Sequence, residues 1–174
     1  KNPNELKNKS IAVASLGVNQ QTYQAFGFKD VVKTEETNIP YLLKADRINM
    51  ADISLNRFKD LNLSNQFKAV TETNHAYDAD MLLVNKRWFN NLPVDIKQGI
   101  LDTTKDVIQY NIELADKDYT TNKEELKKNG ISFYTWTDNE KEIFKKLVIP
   151  VHTNFLNNIN KNLLLEVYQE IKNN

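Results

Sequence analysis

The sequence predicts an α/β fold, a mainly parallel sheet flanked by helices, and two observations carry that expectation. Three short apolar strands alternate with two helices within roughly the first fifty residues, the βαβαβ order whose right-handed crossovers make neighbouring strands parallel. From Pro93 to about Lys128 a helical pattern then runs without interruption. About 35 residues at roughly 1.5 Å each make a rod near 50 Å. A compact chain of this length has a radius of gyration of only about 16 Å, so such a helix must bend, protrude or serve as a spine.

The elements follow from local chemistry. Ser10 to Ser15 is β-branched and small, the pattern of a short buried strand, and a turn at Gly17 leads into the helical segment VNQQTYQAF. Gly27 ends that helix, and Asp30 to Lys33 reads as a second strand. Asn38 is placed to cap a short helix with Pro40 in its first turn and Leu42 and Leu43 turned inward. The segment RINMAD supplies the third strand, and Ser54 to Leu61 a further helix. Phe67 to Glu72 and Asp80 to Asn85 read as two strands joined by the loop TNHAYDA.

Pro93 suits the first turn of the long helix because its missing N–H would be unpaired there anyway, and Gly130 supplies the stop. Ile96, Ile100, Val107, Asn111 or Ile112, Ala115 and Tyr119 recur at three- and four-residue intervals, with one lapse. The helix is expected to pack on the sheet through Ile100, Val107 and Ile112. Ile131 to Trp136 alternates as a strand, and Thr137 with Glu140 forms a capping box that opens the next helix. Pro150 then starts or kinks a last amphipathic helix. Trp88, Phe89, Phe133, Tyr134 and Trp136 are expected to pack on the long helix and the sheet.

Composition narrows the function. With 40% hydrophobic and 26% charged residues the chain suits one domain with a sizeable core. The 23 basic and 23 acidic residues cancel, so no charge excess recommends nucleic acid as a partner. No apolar run approaches the roughly 20 residues that span a bilayer. Absence of cysteine excludes disulfides and thiolate chemistry. The first residue is Lys1, which leaves room for a signal peptide, a tag or a further domain ahead of it.

Chemistry-bearing motifs are few. No GxGxxG, P-loop or GxSxG elbow occurs, and no carboxylate pair stands in an acid/base pattern. His75 and His152 lie too far apart, without a carboxylate set, to announce a metal, so neither a metal nor a cofactor nor an enzymatic activity is expected. Ligand contact is instead expected where open α/β sheets bind, beyond the carboxyl ends of the strands. Ser15, Asn19 and Gln20 in the loop and helix after the first strand are candidates, as are Asn49, His75 and Tyr77. Ordinary helix capping for the first group and a solvated loop for His75 are the competing explanations.

Several passages resemble the second half of a periplasmic solute-binding protein. ELKNKSIAV, from Glu5 to Val13, is similar to the "DLKGKxIxV" entry into the second lobe, and LLKADRINMAD resembles both the "xLxxGRVDxxxxD" passage of amino-acid-binding members and the "ALQTGVVDGQ" passage of TRAP-transporter receptors. From Asp80 onward, LLVNKRWFNNLPVDIKQGI and ELKKNGISFYTWTDNEKEIFKKLVIPVHTNFL resemble the tail of the same receptors, in the same order and over about half the chain. The resemblance implies a type II periplasmic binding fold of the dicarboxylate-receptor kind. The whole of residues 1–174 is then one α/β domain, a second lobe with the inter-lobe helix, the first lobe being absent from the chain. It implies a periplasmic subunit that binds a small polar or anionic solute without chemistry and hands it to a TRAP-type membrane permease. A missing first lobe or a second chain would complete the cleft. The alternative is a one-lobed interaction or sensor protein of that fold, acting through a protein partner or as a dimer.

Two departures bear on the ligand. Carboxylate-binding relatives carry a clamping arginine at the "KxRV" position, where this chain has Ala12. Their ligand-facing asparagine belongs to "DGQEN", which here reads NMADI. Losing one member of a desolvated charge pair costs about 2–5 kcal/mol, more than tenfold in affinity. Simple dicarboxylates and sialic-acid-like acids are therefore expected to bind this chain weakly or not at all; a calorimetric titration returning a micromolar or tighter Kd for such an acid overturns that expectation.

Overall fold

The first strand, β1 (Ser10–Val13), is buried on both faces: Ile11 and Val13 on one side and Ala12 on the other are at most 3% exposed. Such a strand needs a hydrogen-bonding neighbour on each edge and a packed layer above and below. In the computed structural model, which describes residues 3–14, 16–76, 81–156 and 160–173, both conditions are met. β2 (Asp30–Lys33) and β3 (Met50–Ala51) flank β1 in the order β2-β1-β3, both parallel to it. A second sheet holds β4 (Ala69–Glu72) and β5 (Ser132–Thr135), also parallel, with Ala69 opposite Ser132 and Glu72 opposite Thr135. The expected parallel α/β architecture is thus present, divided over two small sheets.

The helices cover those strands. α1 (Gly17–Ala25) lies between β1 and β2 in the chain, α2 (Ile39–Lys44) between β2 and β3, and α3 (Leu55–Asp60) after β3. α4 (Lys86–Asn90) precedes the long α5 (Val94–Lys128), and α6 (Asp138–Phe155) and α7 (Lys161–Asn173) close the chain. One core cluster joins Ile11, Val13, Tyr23, Phe26, Phe28, Trp136 and Phe144. The other joins Ala12 to Ile39, Ile48, Phe58, Leu63, Leu126 and Ile131, with Val70 and Phe133 packed against it, so it links the two sheets.

Local signals act as expected at several ends. Gly27 and Gly130 take the left-handed conformation, φ 98° and 84°. After α1 the N–H of Phe28 donates to the Tyr23 carbonyl and that of Gly27 to Gln24. After α5 the N–H of Ile131 donates to Leu126 and that of Gly130 to Lys127. This pairing closes a helix with a Schellman motif and needs a residue that tolerates positive φ. Ser54 caps α3, and Thr137 and Glu140 form the capping box of α6.

Other expectations are corrected. Asp80 to Asn85 forms no strand over its described part: Met81 to Val84 are exposed, Asn85 caps α4 through the Trp88 N–H at 3.0 Å, and Asp80 lies outside the described residues. An apolar run becomes a strand only where a ladder is available, and the described pairing of β4 is with β5. Asn38 ends a 3-10 turn and donates to Thr34 Oγ1 at 3.3 Å, and it makes no side-chain cap of α2. Pro150 lies inside α6, which continues to Phe155, and the last helix is a separate element.

The long helix is continuous, but its expected packing face is not covered. Val107 and Ile112 are 53% and 54% exposed, Ile100 is half-buried, and Leu126 is the buried residue among those described in α5. α5 meets α3 near its carboxyl end, where Lys59 reaches Asn122 and Glu125 at 3.0 and 2.6 Å. Trp88 is likewise half exposed, whereas Trp136 is buried and stacked on Phe144 with ring centroids 4.1 Å apart.

Phe144 also meets Phe26 edge-on at 4.9 Å, so it ties α6 to α1. Phe144→Ala should destabilise the protein by about 3–5 kcal/mol through lost burial and a residual cavity. Val107→Ala, on the open face of α5, should change stability by no more than about 0.5 kcal/mol. Urea unfolding of both variants checks the contrast, and equal effects would show that the middle of α5 is packed after all.

Candidate functional site

The parallel strands bring their carboxyl ends to one edge, and the residues just beyond them are polar. Thr34 follows β2 and its N–H donates to the Val13 carbonyl at 3.0 Å; Asp52 follows β3 and its N–H donates to Ala12 at 2.8 Å. Ala14 follows β1, and Thr73 to His75 follow β4. Ala14, Thr34, Glu35, Glu36, Thr37 and Arg57 line an open cavity of about 230 Å³. Arg57 is committed within it, donating from Nε to Glu36 at 2.8 Å and from Nη1 to Asp60 at 3.4 Å.

A second group gathers around His75. Its Nδ1 lies 2.8 Å from Thr73 Oγ1, and its Nε2 lies 3.4 Å from the Tyr23 hydroxyl and 3.8 Å from Asp52 Oδ2. The His75 ring also stands edge-on to Tyr23 and Phe26, with centroids 5.4 and 6.2 Å apart. Asn74, at φ 46°, occupies the left-handed region that a β-branched residue avoids and asparagine tolerates. Burial, and then the facing Asp52 carboxylate, push the Tyr23 phenol well above its usual range. The phenol therefore stays protonated and serves as a donor.

A third group anchors the long helix. Glu72, the last residue of β4, accepts hydrogen bonds from Tyr119, from Lys123 Nζ at 2.5 Å and from Thr135 Oγ1 at 2.5 Å. Its side chain is 7% exposed. Burial opposes ionisation of the carboxyl, but the donors from Lys123, Thr135 and Tyr119 outweigh it and hold the group at about 2. Lys123 also stands over the Phe133 and Tyr119 rings at 5.5 and 5.7 Å. This knot fixes the end of α5 to the sheet.

The residues singled out from sequence divide accordingly. His75 joins the carboxyl edge, and Asn19, half-buried, stands one helical turn from Tyr23 on the same face of α1. Gln20 is half-buried beside it on the same helix. Asn49 sits at the opposite, amino end of the strands, where its Oδ1 accepts from the Ser10 N–H at 3.3 Å and the Ser10 hydroxyl at 3.1 Å. That bond ties the start of β3 to β1 and removes Asn49 from the carboxyl edge. Ser15 and Tyr77 lie outside the described residues. His152 packs toward α7, 3.3 Å from the Tyr168 hydroxyl. Ala12 is wholly buried among apolar side chains and offers nothing to the edge.

Tyr23, Asp52, Arg57 and Glu72 were not singled out. A rule was available for Asp52, since it directly follows a parallel strand and such positions face ligands. Among the described residues no group of three or more His, Cys, Asp or Glu is placed to hold a metal ion. Nor is any helix among them long and apolar enough to cross a membrane.

The sequence profile of the bacterial extracellular solute-binding proteins, family 7 (DctP), matches residues 1–158. The chain belongs to this family. No curated protein sequence matches it significantly. Among solved structures, it is similar to a TRAP periplasmic solute-binding protein from Ochrobactrum anthropi whose C-terminus is bound in the ligand-binding pocket. That match has a TM-score of 0.92 at 18% identity and covers 99% of this chain and 53% of the other. It is also similar to the Xanthobacter autotrophicus Py2 protein with bound β-D-galacturonate (TM-score 0.81, 18% identity, 97% and 54% covered). A third is the Fusobacterium nucleatum protein with bound sn-glycerol 3-phosphate (TM-score 0.78, 20% identity, 99% and 55% covered). The chain spans about half the length of these structures, which share its fold.

In this family-7 chain the Glu72 knot makes a pH prediction. The folded-state pKa lies near 2, below the ordinary 4.5, so the stabilisation is fully present above about pH 4.5 and is lost as pH falls toward 2. The shift corresponds to about 3 kcal/mol as an upper bound, and to about 1–2 kcal/mol once screening around Lys123 is allowed for. Glu72→Gln should lower stability at pH 7 by that smaller amount and flatten its decline between pH 4.5 and 2. Urea midpoints of both proteins across that range check it; parallel curves would count against the assignment.

Proposed function

We propose that this family-7 chain is the second-lobe half of a periplasmic receptor that binds a small polar solute and delivers it to a TRAP-type membrane permease, without chemistry of its own. The observation that carries the reading is the polar carboxyl edge: Thr34, Glu36, Arg57, Asp52, Tyr23 and His75 face one side of two parallel sheets, next to an open cavity. Two features support it further, the family match over residues 1–158 and likeness to TRAP receptors of about twice the length. In this reading the chain is one α/β domain, and its ligand contacts include His75 and Asn19, with Ser15, Gln20 and Tyr77 on the same segments.

The exposed apolar face of α5 supports a covering partner. Val94, Ile96, Leu101, Val107 and Ile108 are 48% or more exposed, and Leu82 with Ile96, Ile100 and Val107 borders a groove of about 490 Å³. Contiguous apolar surface of this kind marks an interaction site. We assign the first lobe of the receptor to it, packed along the amino-terminal part of the long helix. The same face suits the second reading, a one-lobed interaction or sensor protein whose partner is another chain or a second copy.

Light scattering and ligand titration separate these readings. The 174-residue chain alone should self-associate or pair with the first lobe supplied separately, and should bind solutes poorly, because half a cleft cannot enclose roughly 70–90% of a small ligand. Addition of the first lobe, or expression at full gene length, should restore saturable binding. A monodisperse 20.2 kDa monomer that binds a small solute tightly by itself would overturn the two-lobed reading. A stable dimer that binds none, at full gene length, would favour the interaction protein.

A further inference from the structure

We infer that the amino edge of the two sheets, at the far end from the candidate site, docks on an anionic phospholipid surface, a role independent of the solute-binding reading. His75, after β4, approaches Asp52, after β3, to 3.8 Å, which brings the carboxyl ends of both sheets together. Ile48, just before β3, and Ile131, just before β5, share a core cluster, so the amino ends meet on the opposite side. Lys9, Lys29 and Lys68 immediately precede β1, β2 and β4, and Lys7 and Arg47 lie in the connections that lead into β1 and β3. Lys44 ends α2, and Lys127 and Lys128 end α5 just ahead of β5. All eight of these cations are exposed, and none forms an ion pair among the described residues. The carboxylates on the same edge are Glu5, Asp30, Asp46 and Glu124, with Asp60 and Glu125 held by Arg57 and Lys59. Zero net charge over the whole chain thus conceals one positively charged end.

Local structure explains part of this set. A helix dipole favours cations in the last turn, which accounts for Lys44, Lys127 and Lys128. That effect fades within one turn, and Lys7, Lys9, Lys29, Arg47 and Lys68 stand outside the helices. The make-up of the edge selects the partner. Phe28, Ile48 and Ile131 on these connections are buried, and Leu6 is drawn into one core cluster and Phe67 into the other, so the connections present no exposed apolar centre of the kind a protein interface needs. Its cations are lysines apart from Arg47, whereas protein interfaces favour arginine and aromatic side chains and single-stranded nucleic acid needs aromatic stacking platforms. Lysine's compact, hydrated ammonium on a flexible stem suits phosphate headgroups, which require no fork geometry. Clusters of about four to eight Lys and Arg are what an anionic bilayer holds. Contact through this edge leaves the carboxyl edge and the cavity beside Thr34 open to solute.

Vesicle flotation with the protein at full gene length tests this. Vesicles of equal parts phosphatidylcholine and phosphatidylglycerol should carry the protein at about 50 mM salt and release it at about 500 mM, where screening acts within a few ångströms; vesicles of phosphatidylcholine alone should not carry it. Lys9→Glu, Lys29→Glu and Lys68→Glu together should weaken the binding at least about tenfold with an unchanged thermal melt. The matching reversal at Lys105, Lys117 and Lys161, exposed on α5 and α7, should change it less than about threefold. No binding to the mixed vesicles, equal binding to phosphatidylcholine alone, or equal loss in the two triple variants overturns the inference and leaves the solute-binding reading in place. Capture by polyglutamate without vesicle binding assigns the edge to an acidic protein and overturns it as well.

Discussion

Burial of β1 on both faces is the constraint from which the remaining arrangement follows. Four residues, SIAV, cannot be exposed to water on either side without losing the apolar contacts of Ile11, Ala12 and Val13. Aromatic residues of α1 and α6 therefore fill one face, and Ile39 of α2, Phe58 of α3 and Leu126 near the end of α5 fill the other. A strand so enclosed takes parallel neighbours on both edges, and parallel neighbours deliver all their carboxyl ends to one side. The polar edge with Thr34, Asp52 and His75 is a consequence of the way β1 is buried.

The same constraint keeps polar chemistry off the centre of β1. Every side chain of its centre belongs to a core cluster, so no functional group from Ala12 reaches the edge. Polar side chains stand instead immediately outside the strands, where backbone hydrogen bonds to Ala12 and Val13 hold Asp52 and Thr34 in register. The aromatic core adjoins this edge, because Tyr23 packs against Phe26 and Phe28 while its hydroxyl lies 3.4 Å from His75 Nε2. A buried ring with a polar tip is how a core residue becomes part of a site.

The long helix is anchored at one end and open along most of its length. Its last turns are fixed by Leu126 in the core, by the Glu72 knot and by Lys59 with Glu125, while most of its earlier apolar residues remain open. A 35-residue helix of about 52 Å is longer than the short sheets it is anchored to, so much of its length extends past them. In a two-lobed receptor that geometry lets one helix belong to both halves. The anchor then sits on this half, close to β4 and to the loop carrying His75.

By itself the sequence determined the local structure: the strands of the first fifty or so residues, the Schellman stops at Gly27 and Gly130, the Thr137–Glu140 capping box and the continuity of Val94–Lys128. These depend on near-neighbour sterics and hydrogen bonds, which a few adjacent residues specify. Family membership was legible for the same reason, in ordered passages such as ELKNKSIAV and LLVNKRWFNNLP. Tertiary structure alone decided which apolar residues are covered. The periodicity at Val107 and Ile112 predicts a packing stripe, and Asp80 to Asn85 reads as a strand, but Val107, Ile112 and Met81 to Val84 are exposed among the described residues. It also decided the site, since Tyr23, Asp52 and His75 are brought together from three elements up to 52 residues apart, and Asn49 is drawn to the opposite end by Ser10. Such groupings are set by how strands stack and which ends they share, and spacing along the chain carries no record of them.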